Sequence, residues 1–183
     1  WWLFIVTSLV VITTPGQDMV LVMSRSIAQG AAAGVATAAG VSVGLIGHTL
    51  LATLGLGAIL RTSEWLFVAL KLVGAAYLVY VGLSALFGRP SPITVSTATA
   101  RSGARRDLYL AGLTLQLANP KTLIFFVAIL PQFVDARLPI GPQMVWLAAG
   151  SIIPEFFILA GYGWVASRAR RVATDPRYAR WTD

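Results

Sequence analysis

Apolar residues fall into five long runs along this chain, with polar interruptions between them. The runs cover about residues 3–27, 31–60, 65–87, 107–133 and 143–167. Each is long enough for a helix that crosses a bilayer, which takes about 20 residues. The pattern therefore predicts an all-α integral membrane protein, a multi-span helical bundle in one domain over residues 1–183. The second run exceeds what a bilayer requires, so its helix is expected to tilt or to project at its ends. Between the third and fourth runs lies GRPSPITVSTATARSGARR, residues 88–106, whose Ser, Thr, Pro and Arg content reads as a linker. A basic, polar tail follows from residue 168 to 183.

Two of the runs are broken near the middle. The first is interrupted at Thr14-Pro15-Gly16-Gln17-Asp18 and the fourth at Asn119-Pro120-Lys121. Proline removes a backbone donor and clashes with the preceding turn, so each helix is expected to unwind there. Unwound backbone at membrane depth is tolerated only against protein or a water-filled cavity. A matched pair of breaks, one in each half, points to a transporter's substrate site.

Composition supports the membrane reading. The chain is 57% hydrophobic and 11% charged, with a mean hydropathy of +0.76, whereas a soluble domain carries roughly a quarter charged residues. The absence of cysteine excludes disulfides and thiolate metal sites. No metal site, cofactor or enzymatic activity is expected. A net charge of +7 could mean nucleic acid, but its distribution follows the membrane spans instead. With the N-terminus outside, ten basic residues fall inside: Arg25, Arg89, Arg101, Arg105, Arg106 and five from Arg168 onward. Only Arg61 and Arg137 fall outside. That bias places the tail in the cytoplasm. Trp1, Trp2, Trp65 and Trp146 read as interface anchors. The chain opens abruptly on two tryptophans, with no basic n-region or cleavage site of a signal peptide, so its first residues are expected to be missing.

The breaks also mark a repeat. Pro120 lies 105 residues after Pro15, His48 lies 33 after Pro15, and Glu155 lies 35 after Pro120. Three spans in the first half make the second half run in the opposite sense, giving an inverted repeat of three plus three helices with the last one absent.

Ionisable groups inside the spans are few, as a cost of about 2.5–3.5 kcal/mol each requires. Asp18 and Lys121 sit beside the breaks, and His48, Lys71 and Glu155 lie within runs two, three and five. Freed N–H groups at half-helix starts favour a carboxylate. Freed carbonyls and Asp18 favour an amine, so a zwitterion would use both. This makes Pro15, Gly16, Gln17, Asp18, Asn119, Pro120 and Lys121 the candidate substrate site; the plainer alternative is two kinks capped by Asp18 and Asn119. Asp18, His48 and Glu155 are candidates for proton coupling. His48 shares an i+4 face with Ala32, Ala36, Gly40, Gly44 and Ala52, small residues that let another helix approach, within the chain or in a homodimer. It either titrates there or bonds a neighbour's carbonyl as a neutral imidazole. Lys71 shares a face with Gly74 and Ala75 and is expected to snorkel outward. Tyr77, Tyr80, Gln116 and Gln132 are polar groups with interfacial or structural roles. A cation or metal-ion exporter using Asp18, His48 and Glu155 is the alternative; an intramembrane hydrolase has no paired motif to support it.

These residues carry a resemblance. TPGQD, LKLVGAAYLVYVGLSAL, LANPKTLIFFVAILPQFV and the region of His48 are similar to the LysE/RhtB family of amino-acid exporters, over nearly the whole chain. The resemblance implies a multi-pass protein of the bacterial inner membrane that exports amino acids or close derivatives in exchange for protons. It maps the family's first motif onto Pro15, Gly16 and Asp18 and the second onto Asn119, Pro120 and Lys121. Gln17 stands where many relatives have proline. Relatives usually have six helices, so a final span is expected to be lacking here.

Overall fold

The computed structural model describes residues 2–87 and 104–173. Trp1, residues 88–103 of the linker and residues 174–183 of the tail lie outside them, and with them the readings placed on Arg89, Arg101, Arg177 and Arg180. All regular structure among the described residues is helical: α1 (Trp2–Thr13), α2 (Gln17–Gln29), α3 (Ala31–Thr62), α4 (Glu64–Phe87), α5 (Arg105–Leu117), α6 (Pro120–Ile124) and α7 (Ile140–Ala173). Among these residues, Ala31–Ile59 and Ile140–Ala169 are each long and apolar enough to cross a membrane. The number rises to four if each bent pair is one span.

The bends fall at the two prolines. The axes of α1 and α2 turn by 53° across residues 14–16, and those of α5 and the Pro120–Phe133 segment by 50°. Past α6 the chain widens into a π turn over Phe125–Ile129 and tightens into a 3-10 turn over Leu130–Phe133. Pro131 has no N–H for the carbonyl four residues back, so the regular helical ladder cannot continue there. The widened turn brings Phe125 and Phe126 inward together, and both are buried.

The long helix α3 is the central post, packed against α2, α5 and α7. Its contact with α5 is as close as backbone allows. A Cβ at Gly40 would collide with the Tyr109 carbonyl, and one at Gly112 with the Thr37 carbonyl. A Cβ at Gly44 would lie 2.7 Å from that of Gln116. The small-residue seam is thus filled by a helix of the same chain, and the approach brings His48 next to α5. On the other side, Gly34 and Gly163 face each other around Ser26, so α2, α3 and α7 meet closely. A larger apolar core joins Phe4, Leu45, Phe126, Ile129 and Leu147. Trp2, Trp65 and Trp146 are all exposed.

Lys71 donates to the Val134 carbonyl (3.3 Å) at the end of the 3-10 turn, and its ammonium lies over the Phe67 ring. The Gln132 amide donates to the Lys71 carbonyl in return. The connection to α7 is tied by Gln143, which accepts from the Asp135 N–H and donates to the carbonyls of Asp135, Leu138 and Pro139. Arg137 pairs with Asp135 at 2.8 Å. Hydrogen bonds from the Arg137 side chain and N–H hold the Asp135 carboxyl down to about 2. Because this value is depressed, the pair's contribution is present above the ordinary 3.8 and is lost as pH falls toward 2. The Asp135 carboxyl resonance in detergent micelles is expected to titrate near 2 and to return toward 3.8 in Arg137→Gln. An unchanged midpoint in the variant would remove Arg137 as the cause.

Candidate functional site

A proline without an N–H leaves one particular carbonyl without its helical donor, that of the residue four positions earlier. For Pro15 this is Val11, and for Pro120 it is Gln116. Val11 is served by a side chain from elsewhere in the fold, and Gln116 by another such side chain together with the Asn119 N–H at 3.0 Å. Lys121 Nζ donates to the Val11 carbonyl at 2.8 Å and to that of Thr14 at 3.0 Å. His48 Nε2 lies 2.9 Å from the Gln116 carbonyl; since a carbonyl only accepts, this nitrogen carries the hydrogen. Thr13 and Thr14 return their hydroxyls to the Leu9 and Val10 carbonyls, completing the end of α1. An ammonium at a helix C-terminus also suits the negative end of its dipole.

The second break is shaped by a short chain of side chains. The Asn119 side-chain oxygen accepts the Lys121 N–H (3.1 Å), an N-cap that starts α6. Asn119 Nδ2 donates to Gln116 Oε1 (3.3 Å), and Gln116 Nε2 donates to Thr122 Oγ1 (3.1 Å). Asn119 and Gln116 are fully buried. At the first break the N-cap is Gly16, with no side-chain cap. Asp18 lies in the first turn of α2 instead of at its cap. Its carboxylate folds back over Gly16, where a Cβ would collide with Asp18 Oδ1 and lie 3.6 Å from Lys121 Nζ. Glycine there leaves the carboxylate room to take this position.

Between the breaks is a cavity of about 380 Å³, measured with the solvent at its mouth. Its apolar wall is Val11, Ile12, Leu45, Phe125 and Phe126; its polar groups are Asp18, Lys121, Thr122, Ser151 and Glu155. Asp18 and Glu155 are both buried, and Asp18 Oδ1 has no hydrogen-bond partner. The Glu155 carboxyl lines the same cavity as Asp18 and Lys121. Neither carboxylate forms an ion pair with Lys121 within 4.0 Å; among the described residues Arg137–Asp135 alone does so. A buried carboxylate oxygen without a partner is costly in a finished interior.

The structure thus brings Asp18, Lys121 and Glu155 into one cavity. Pro15, Gln17 and Pro120 are exposed at the bends, where they set the backbone path; Gly16 and Asn119 position their neighbours. His48 does not line the cavity. It stands behind it, stacked on Phe126 at 6.0 Å between centroids. Among the described residues no group of three His, Cys, Asp or Glu could hold a metal ion. Sequence reasoning missed Thr122, Ser151, Phe125 and Phe126. Ser151 lies one helical turn before Glu155 and Thr122 directly follows Lys121, and those two signals could have found them.

Comparison with known proteins follows the same lines. Residues 9–183 match the family described as LysE type translocator. An uncharacterized membrane protein of Vibrio cholerae is 29% identical over 96% of this chain and 85% of its own length. A homoserine/homoserine lactone efflux protein of Salmonella typhimurium is 31% identical over 97% of this chain and 85% of its own. A leucine efflux protein of Salmonella choleraesuis is 29% identical over 76% of this chain and 65% of its own. No solved structure matches.

Proposed function

We propose that this chain, which belongs to the LysE type translocator family, exports amino acids or close derivatives across the bacterial inner membrane in exchange for protons. It is read as a transporter, not an enzyme, with a small amino acid, protons and the lipid bilayer as its partners. The observation that carries the reading is Asp18 Oδ1, a buried carboxylate oxygen without a hydrogen-bond partner, in a cavity at the meeting of the two breaks. The names of the Salmonella relatives support amino-acid cargo. The two bends of 53° and 50° support an inverted repeat, and the bias of basic residues supports an N-terminus outside and a tail after residue 168 in the cytoplasm.

In this reading the substrate ammonium binds Asp18 and Glu155, and its carboxylate turns toward Lys121. Two carboxyls that face one cavity can share one proton once they are brought together. An arriving ammonium replaces that proton, and a returning proton displaces the ammonium. Substrate and proton then occupy the same pair by turns, so movement of one outward is tied to movement of the other inward. Asp18 and Glu155 are the coupling groups. His48, bonded to the carbonyl freed by Pro120, supports the second break.

The test is export of labelled leucine and homoserine from loaded cells and from proteoliposomes containing the full-length protein. Efflux that depends on the protein and accelerates with an inward proton gradient is expected. Efflux equal to that of empty liposomes for both compounds would overturn the reading.

A further inference from the structure

We infer that the Thr122 hydroxyl is a specificity-determining donor, held toward the cavity to bind an acceptor oxygen of the substrate, the carboxylate of an amino acid. The inference rests on the substrate cavity proposed above and assigns a role to a residue that neither break motif contains.

The direction of the hydrogen bonds decides it. Side-chain amides can be turned end for end, and a hydroxyl can donate or accept, so such assignments need an anchor whose polarity is fixed. The Lys121 main-chain N–H is one, because it can only donate. It lies 3.1 Å from the Asn119 side-chain oxygen, which therefore accepts. Asn119 Nδ2 is then the donor, and Gln116 Oε1 the acceptor. That leaves Gln116 Nε2 facing Thr122 Oγ1 at 3.1 Å, with the hydroxyl oxygen accepting. Every step is forced by the one before. The Thr122 O–H is left over as a donor.

Threonines in helices usually return this hydrogen to the preceding turn. Thr37, Thr49 and Thr53 each donate to the carbonyl four residues earlier. For Thr122 that position is Ala118, at the bend, and no such bond is made among the described residues. Thr122 is half-buried and lines the cavity beside Lys121. Lys121 has given two of its three hydrogens to the Val11 and Thr14 carbonyls. One N–H of Lys121 and the O–H of Thr122 are thus the donors left on this side of the cavity. Asp18 and Glu155 offer acceptors to an ammonium. The buried chain from Asn119 through Gln116 therefore occupies Thr122 Oγ1 as an acceptor and leaves its hydrogen for an acceptor in the cavity.

The experiment compares wild type, Thr122→Val and Thr122→Ser as full-length protein in proteoliposomes. It measures counterflow of labelled leucine and homoserine, and inhibition by 3-methylbutylamine, the leucine skeleton without its carboxylate. A lost hydrogen bond to a charged group corresponds to a KM raised about tenfold in Thr122→Val, at an unchanged maximal rate. Inhibition by the amine is expected to match wild type, and Thr122→Ser to restore leucine transport. A Thr122→Val KM equal to wild type would overturn the inference alone, as would an equal loss of amine binding or failure of serine to rescue. Wild type that moves neither amino acid would overturn the function proposed above and this inference with it.

Discussion

Replacement of Lys121 by alanine is expected to reduce amino-acid efflux by about a hundredfold or more while leaving the protein in the membrane. Three effects act together. The Val11 carbonyl, already without a helical donor because of Pro15, loses the ammonium that replaces it. The Thr14 carbonyl loses its bond as well. Two buried carboxyls are left with no cation nearby. Removing one partner of a buried charge cluster commonly costs about 3–5 kcal/mol. The substrate-bound state needs the same cation, so the loss falls on transport. Lys121→Arg is expected to recover part of the activity, because the guanidinium keeps the charge but is planar and bulkier. Efflux assays on loaded vesicles, normalised to the amount of reconstituted protein, provide the measurement. Alanine at wild-type rate would remove Lys121 from the site.

That expectation also shows what was legible beforehand. Both breaks, their charges and the small-residue face of α3 are local features, visible as a proline in an apolar run or as an i+4 stripe. The carbonyls that lose their regular helical donor follow from the chain too, since each lies four residues before its proline. The donors do not. Lys121 meets Thr14 across 107 residues of sequence, and His48 meets Gln116 across 68. Such contacts depend on how the spans pack, which periodicity alone does not determine. The direction of His48 was legible and its partner was not: its face, shared with Gly40 and Gly44, does turn to another helix, and that helix is α5. Glu155 was placed in its span but not beside Asp18, because α2 and α7 have no shared pattern to pair them. The π turn that brings both Phe125 and Phe126 to the cavity has no local signature beyond Pro131. Gln116 read as a generic polar group, yet it is the hub of the second break, with a backbone oxygen for His48 and an amide linking Asn119 to Thr122.

Neutralising the carboxyl pair is expected to separate binding from coupling. Glu155→Gln keeps the shape of the side chain and removes its ability to exchange a proton with Asp18. Efflux driven by an imposed proton gradient should fall about a hundredfold, since an intramembrane ionisable group is the element that carries the coupling. Counterflow, in which labelled amino acid exchanges for unlabelled with no net proton movement, should persist, because Asp18 still receives the ammonium. Asp18→Asn should abolish both, as it removes the unpartnered acceptor itself. Gly16→Ala should resemble a weaker Asp18→Asn: a Cβ at residue 16 collides with Asp18 Oδ1 and displaces the carboxylate without deleting it. Its loss of about tenfold corresponds to one misplaced charged hydrogen bond. The two assays, run on the same reconstituted samples, distinguish these patterns. Proton-driven efflux by Glu155→Gln at the wild-type rate would exclude Glu155 as a coupling group. Loss of counterflow together with driven efflux in that variant would make Glu155 a binding residue only. Retention of counterflow alone is the outcome that follows when substrate and proton take turns on one pair of carboxyls.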